Sequence, residues 1–123
     1  MKKLLVLSAL IMMVVLCMTV GAATYGNLTY TVTDGIVTIT GCSNSTTTVE
    51  IPSEINNCPV KYIGASAFSG CTSLKSITIP DSVTSISYNA FYNCLNLTKV
   101  IIPKTVISID KSAFNNSKNV TIA

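Results

Sequence analysis

The chain has 123 residues, enough for one domain, and its formal net charge is +3. It contains neither histidine nor tryptophan, and all eight basic residues are lysines. These counts exclude Ser-His-Asp and Cys-His catalysis and histidine-based zinc sites, and the lack of arginine and of a basic stripe argues against nucleic-acid binding.

Residues 1–23 have the pattern of a secretory signal peptide. Lys2 and Lys3 precede an uncharged apolar run over residues 4–18, and small residues follow up to Ala23. We expect cleavage after Ala23, which predicts a protein that is secreted or displayed at the cell surface. An uncleaved N-terminal anchor is the alternative, and it would limit membrane contact to this segment.

Residues 24–46 are predicted to form a β-hairpin that caps the rest of the chain. Two strand-like runs, 28–32 and 36–39, flank Asp34 and Gly35, and Asp-Gly between such runs is a strong hairpin signal. We expect the hairpin to cover the end of the following repeats, because an uncovered end leaves an open sheet edge that invites aggregation.

Residues 47–123 repeat with a period of 23 residues. Phe68, Phe91 and Phe114 each follow an alanine and are 23 residues apart, and many aliphatic positions recur in the same phase. We predict that the three phenylalanines form one internal column. The first repeat contains five additional residues near Asn56 and Asn57, and we expect them to form a surface loop.

Within one repeat, Ile77 and Ile79 alternate with polar residues, which is typical of a strand with one buried face. Pro80 ends this strand because proline cannot donate to a sheet ladder. Residues 89–94 are compact and are expected to form a helical turn. The predicted fold is a solenoid with short parallel strands on one face and helical turns or loops on the other.

These motifs resemble the BspA-like leucine-rich repeat, over about residues 47–122. The motifs that carry the resemblance are Leu74-x-x-Ile77-x-Ile79-Pro80, Val83-x-x-Ile86 and Asn89-Ala90-Phe91-x-x-Cys94. The chain departs from the family pattern at Ser117, where cysteine is expected, and after Ile55, where the additional residues begin. The resemblance implies a surface or secreted protein linked to adhesion, without supplying a ligand or a set of binding residues.

Four cysteines remain after the predicted signal peptide, and they permit three pairings. Cys71 and Cys94 occupy equivalent places in adjacent repeats, where side chains point the same way, so we expect two buried free thiols. Cys42 and Cys58 are the better disulfide candidates in an oxidising compartment. No spacing predicts a metal site, a cofactor site or a small-molecule substrate site.

The predicted function is to present a protein-binding or adhesion surface, not to catalyse a reaction. The candidate surface consists of outward strand residues: Glu50, Lys75, Ser76, Thr78, Lys99 and Ile101. The expected partner is a protein of the host matrix or of a cell surface. The alternative is a structural spacer, or a fragment of a longer repeat array, that has no ligand of its own.

Overall fold

Strands account for all the regular structure that is described. The computed structural model describes residues 19–123, so the predicted signal peptide lies largely outside the described residues. The eleven strands are β1 (Val20–Tyr25), β2 (Leu28–Thr33), β3 (Ile36–Cys42), β4 (Thr48–Glu50), β5 (Glu54–Ile55), β6 (Cys58–Ile63), β7 (Ser76–Thr78), β8 (Ser85–Ile86), β9 (Lys99–Ile101), β10 (Ser108–Ile109) and β11 (Thr121–Ile122). In this part of the chain, no helix has the length and hydrophobicity of a membrane span.

The strands form two sheets that enclose one core. The seven-stranded sheet has the order β1-β2-β3-β6-β8-β10, with β5 paired to β6, and the four-stranded sheet has the order β11-β9-β7-β4. Pairing between repeats is parallel in both sheets. The return side of each repeat therefore contributes short strands as well, where the sequence predicted strands on one face only.

The register of the strands reproduces the sequence period. Ile77 pairs with Val100, a separation of 23 residues, and Val49 pairs with Ile77, a separation of 28. The five additional residues of the first repeat account for the difference. They form a tight surface turn in which Asn56 and Asn57 are exposed, while Ile55 and Cys58 on either side pair and are buried.

The predicted column of phenylalanines is confirmed. The Phe68 and Phe91 rings are stacked with centroids 5.1 Å apart, and the Phe91 and Phe114 rings are stacked at 5.0 Å. These distances match the spacing of neighbouring strands, about 4.8 Å, because each ring belongs to the next coil. Phe68 and Phe91 are fully buried, whereas Phe114 is partly buried.

The predicted helical turn over residues 89–94 is replaced by non-helical turns. Here the backbone bonds to the neighbouring coil: the Phe91 amide donates to the Ala113 carbonyl at 2.7 Å, and the Asn93 amide to the Asn115 carbonyl at 3.0 Å. These amides are therefore not available for helical bonds. Residues with a left-handed backbone conformation reverse the direction of the chain in this segment. They include Asn89 and Asn93, with φ of 52° and 58°.

We expect Asn89→Ala to lower the free energy of unfolding by about 1 kcal/mol, because the left-handed conformation brings a β-carbon too close to the backbone. Asparagine tolerates this conformation better than alanine does. Urea unfolding followed by circular dichroism measures the change. Asn89→Gly is the matched control and should remain near the parent value, since glycine adopts positive φ without strain. Equal losses in both variants would contradict a conformational cause.

Strands β2 and β3 pair in antiparallel fashion, with Thr33 opposite Ile36. Asp34 and Gly35 form the turn, and both have positive φ, 52° and 74°. A two-residue hairpin turn with two positive φ values matches the right-handed twist of the strands. β3 then pairs in parallel with β6, which joins this antiparallel segment to the first coil of the repeats.

Candidate functional site

The outward face of the four-stranded sheet carries two rows of side chains. Because successive side chains in a strand point to opposite faces, the buried residues Val49, Ile77 and Val100 leave their neighbours facing outward. The strand register sets one row as Glu50, Thr78 and Ile101, and the other as Thr48, Ser76, Lys99 and Thr121.

Five of the six candidate surface residues lie in these rows, and the exception is Lys75. Lys75 is exposed but precedes β7, and its amide donates to the Thr47 carbonyl at 2.7 Å. Sequence reasoning left Thr121 out of the outward face, although it lies beside Lys99 in the register. The structure thus brings Glu50, Ser76, Thr78, Lys99 and Ile101 onto one continuous face.

The face is mixed in character. Glu50 and Lys99 are both exposed, and they lie two strands apart and two positions out of register, about 12 Å at the usual spacings. Ile101 beside them is 36% exposed, an apolar side chain between hydroxyl-bearing and charged neighbours. Opposite charges flanking an apolar contact suit noncovalent recognition of another protein surface.

The described acidic and thiol side chains do not gather on this face. Within residues 19–123, no three carboxylate or thiol side chains come together in a way that could hold a metal ion. Glu54, in β5, is exposed like Glu50, and the two carboxylates belong to different sheets. Away from this face, the Ser112 hydroxyl donates to the Asp110 carboxylate at 2.6 Å, at an exposed turn.

The predicted disulfide between Cys42 and Cys58 is wrong, because Cys42 carries a free thiol. The two residues lie at opposite ends of the β3–β6 pair, in which Val37 is opposite Val60 and Ile39 opposite Ile63. At about 3.3 Å per residue, this places their α-carbons on the order of 20 Å apart. A disulfide tolerates no more than about 7 Å.

Cys71 and Cys94 are buried free thiols, as predicted. Burial raises the pKa of the Cys71 thiol to about 12 and the pKa of the Cys94 thiol to about 11. Since the thiolate is the reactive form, both cysteines act as packing residues. The Cys94 thiol also donates to the Phe68 carbonyl oxygen at 3.0 Å.

Ser117 takes the place of a cysteine in the last coil and makes the same contact. Its hydroxyl donates to the Phe91 carbonyl oxygen at 2.5 Å, as the Cys94 thiol does one coil earlier. The Ser117 oxygen also accepts a hydrogen bond from the Cys94 amide at 2.9 Å. The departure from the cysteine pattern therefore preserves the bonding between coils.

Comparison with known proteins places this arrangement among leucine-rich repeats. Residues 40–123 match the family model described as "BspA type Leucine rich repeat region", in six copies. None of the curated proteins matches the chain.

Solved structures of three bacterial leucine-rich repeat proteins have the same fold. A leucine-rich cell surface protein from Faecalibacterium prausnitzii is 32% identical with a TM-score of 0.74, and the match covers 85% of this chain and 30% of that one. A leucine-rich repeat protein from Bacteroides ovatus is 30% identical with a TM-score of 0.73, covering 81% and 28%. A third, from Bacteroides capillosus, is 26% identical with a TM-score of 0.61, covering 83% and 98%. The chain therefore spans less than a third of the first two relatives.

Proposed function

We propose, from the premise that this chain belongs to the BspA-type leucine-rich repeat family, that it is an exported, non-catalytic protein that binds a protein partner. The binding surface is the outward face of the four-stranded sheet. One observation carries the proposal: side chains from four strands lie in register on a face that the described residues leave open. Leucine-rich repeat domains generally act through such contacts with other proteins.

Export to the cell surface rests on two observations. The N-terminal pattern of Lys2, Lys3 and an apolar run is that of a signal peptide. One of the similar structures is a leucine-rich cell surface protein from Faecalibacterium prausnitzii. A protein displayed in this way meets matrix proteins and the surfaces of other cells, which are the partners we propose.

We further infer that the β2–β3 hairpin caps the solenoid. Tyr30, Val37 and Ile39 are buried where it meets the first coil. The contact is close: a β-carbon added at Gly64, in the first coil, would lie 2.9 Å from the Ile39 carbonyl oxygen. Covering an apolar end in this way is the usual role of a terminal segment in a repeat protein.

Replacing Lys99 and Ile101 together with alanine is expected to weaken partner binding roughly tenfold or more, since truncation of a central contact residue costs over 1 kcal/mol. The immobilised protein is tested against solubilised matrix proteins and intact host cells, with biolayer interferometry for any partner recovered. The melting temperature should change little, because exposed substitutions usually alter stability by under about 0.5 kcal/mol.

The matched control is Lys104→Ala with Ile107→Ala, which removes the same residue types from exposed positions outside the sheet face. This control should bind as the parent does. A Lys99/Ile101 double variant that retains the parent affinity would contradict the assignment of the face.

The second candidate is a structural spacer within a longer array, favoured by the fact that the chain spans 30% of the Faecalibacterium protein. In that case the parent protein recovers no partner from matrix proteins or from cells. The two candidates are therefore separated by the parent protein alone, before any variant is made.

A further inference from the structure

The last strand of the four-stranded sheet has an unpaired edge. β4 pairs with β7 on one side, and no strand among residues 19–123 pairs with its other side. The Thr47 carbonyl accepts from the Lys75 amide at 2.7 Å, and the Ile51 amide donates to the Thr78 carbonyl at 3.1 Å. Because backbone groups alternate along a strand, those of Thr48 and Glu50 point away from β7.

A cleft of about 190 Å³ adjoins this edge. Residues 25–28, at the β1–β2 turn, line one side, and Thr46 and β4 line the other. Buried side chains of Leu28 and Val49 contribute to its apolar wall. A cavity of about 150 Å³ holds a benzene molecule, so the cleft has room for one large side chain.

Thr46, on the wall of the cleft, carries a buried hydroxyl that has no partner. Thr46 is 7% exposed, and its Oγ1 makes no hydrogen bond. An unpaired buried hydroxyl is unfavourable relative to one in water. Because this oxygen is covered by neighbouring atoms, a ligand in the cleft reaches it only after the Thr46 side chain rotates.

Charge at the cleft restricts the ligand further. Glu50 is the one acidic residue among those that line it, and no lysine is among them. The Glu50 side chain is exposed on the outward face of β4. A basic side chain on the same face of an added strand would lie opposite this carboxylate.

We propose that the free edge of β4 and its cleft bind an extended, basic peptide as an added strand. The peptide backbone pairs with Thr48 and Glu50, one apolar side chain occupies the cleft beside Thr46, and a lysine or arginine lies next to Glu50. Main-chain bonds supply affinity and the cleft supplies specificity, as in other cases of strand addition. This site shares Glu50 with the outward face of the sheet but does not include Lys99 or Ile101.

The probe is a fluorescein-labelled, end-capped peptide, Lys-Val-Thr-Phe-Thr-Val-Lys, whose apolar residues share one face when it is extended. Fluorescence polarisation should show saturable binding, and the amide resonances of Gly26, Thr48 and Glu50 should shift in NMR spectra. Thr48→Pro removes an edge donor and should weaken binding at least tenfold, whereas Thr48→Ala retains the donor and binds as the parent does.

Two peptide variants test the same geometry without altering the protein. Alternate amides of an added strand face β4. We therefore compare two N-methylated peptides, one methylated at both threonines and the other at both valines and the phenylalanine. One of these peptides should lose binding, and the other should retain it. Replacing both peptide lysines with glutamate should weaken binding, and this difference should shrink in the Glu50→Gln variant.

The proposal is overturned by any of three results. The first is equal binding of both N-methylated peptides, and the second is peptide-induced resonance shifts confined to Lys99 and Ile101. The third is a Thr48 resonance that shifts with protein concentration in the absence of peptide, which would assign the edge to a second copy of the chain. The Lys99/Ile101 double variant should retain peptide binding, so failure of this site and failure of the proposed function are distinguishable.

Discussion

Phe91→Ala is expected to lower the free energy of unfolding by about 3–5 kcal/mol, the usual cost of removing a buried aromatic side chain. Phe91 is fully buried and stacks on two rings, Phe68 at 5.1 Å and Phe114 at 5.0 Å. The substitution would leave a void in the middle of the column, in contact with the coils on both sides. Chemical denaturation followed by circular dichroism measures the loss.

The control for this prediction is Phe114→Ala, at the partly buried end of the column. Phe114 stacks on one ring, that of Phe91, so its truncation should cost about half as much. Phe91→Leu provides a milder variant if the alanine variant does not fold, since the whole stability of a small domain is about 5–15 kcal/mol. Equal costs at positions 91 and 114 would contradict a stacked column with a buried centre.

Ser117→Ala is expected to lower the free energy of unfolding by about 2–3 kcal/mol, because two buried backbone groups lose their partner. The hydroxyl accepts from the Cys94 amide at 2.9 Å and donates to the Phe91 carbonyl oxygen at 2.5 Å. A buried group left unpaired costs about 1–3 kcal/mol. Thermal and urea unfolding of the variant give the loss.

Ser117→Cys is the matched control. The Cys94 thiol makes the equivalent bond one coil earlier, to the Phe68 carbonyl oxygen at 3.0 Å. A cysteine at position 117 should therefore retain the donor and recover most of the stability lost in the alanine variant. A cysteine variant as unstable as the alanine variant would show that the serine contributes by its size, not by its hydrogen bonds.

Much of the fold was predictable from the sequence. The 23-residue spacing of Phe68, Phe91 and Phe114 predicted their stacking, and five additional residues in the first repeat predicted the 28-residue step between β4 and β7. The buried thiols of Cys71 and Cys94 were predicted as well. Each of these predictions concerns a position that recurs once per coil.

Part of the candidate site was predictable for the same reason. Alternation along β7 and β9 identified Ser76, Thr78, Lys99 and Ile101 as outward residues, and the register places them side by side. Lys75 lies outside the rows because β7 begins one residue later. A strand boundary depends on where the neighbouring backbone begins to pair, which one strand's own pattern does not contain.

The sequence alone determined the period, the core and the outward face, because stacking places equivalent residues of successive coils on one another. Tertiary structure alone decided the contacts between residues that are not equivalent. Cys42 lies far from Cys58, and the backbone of residues 89–94 bonds to the next coil and does not form a helix. The β1–β2 turn lies beside the open edge of β4. Such contacts depend on the path of the backbone in space, and a repeating pattern of side chains does not specify that path.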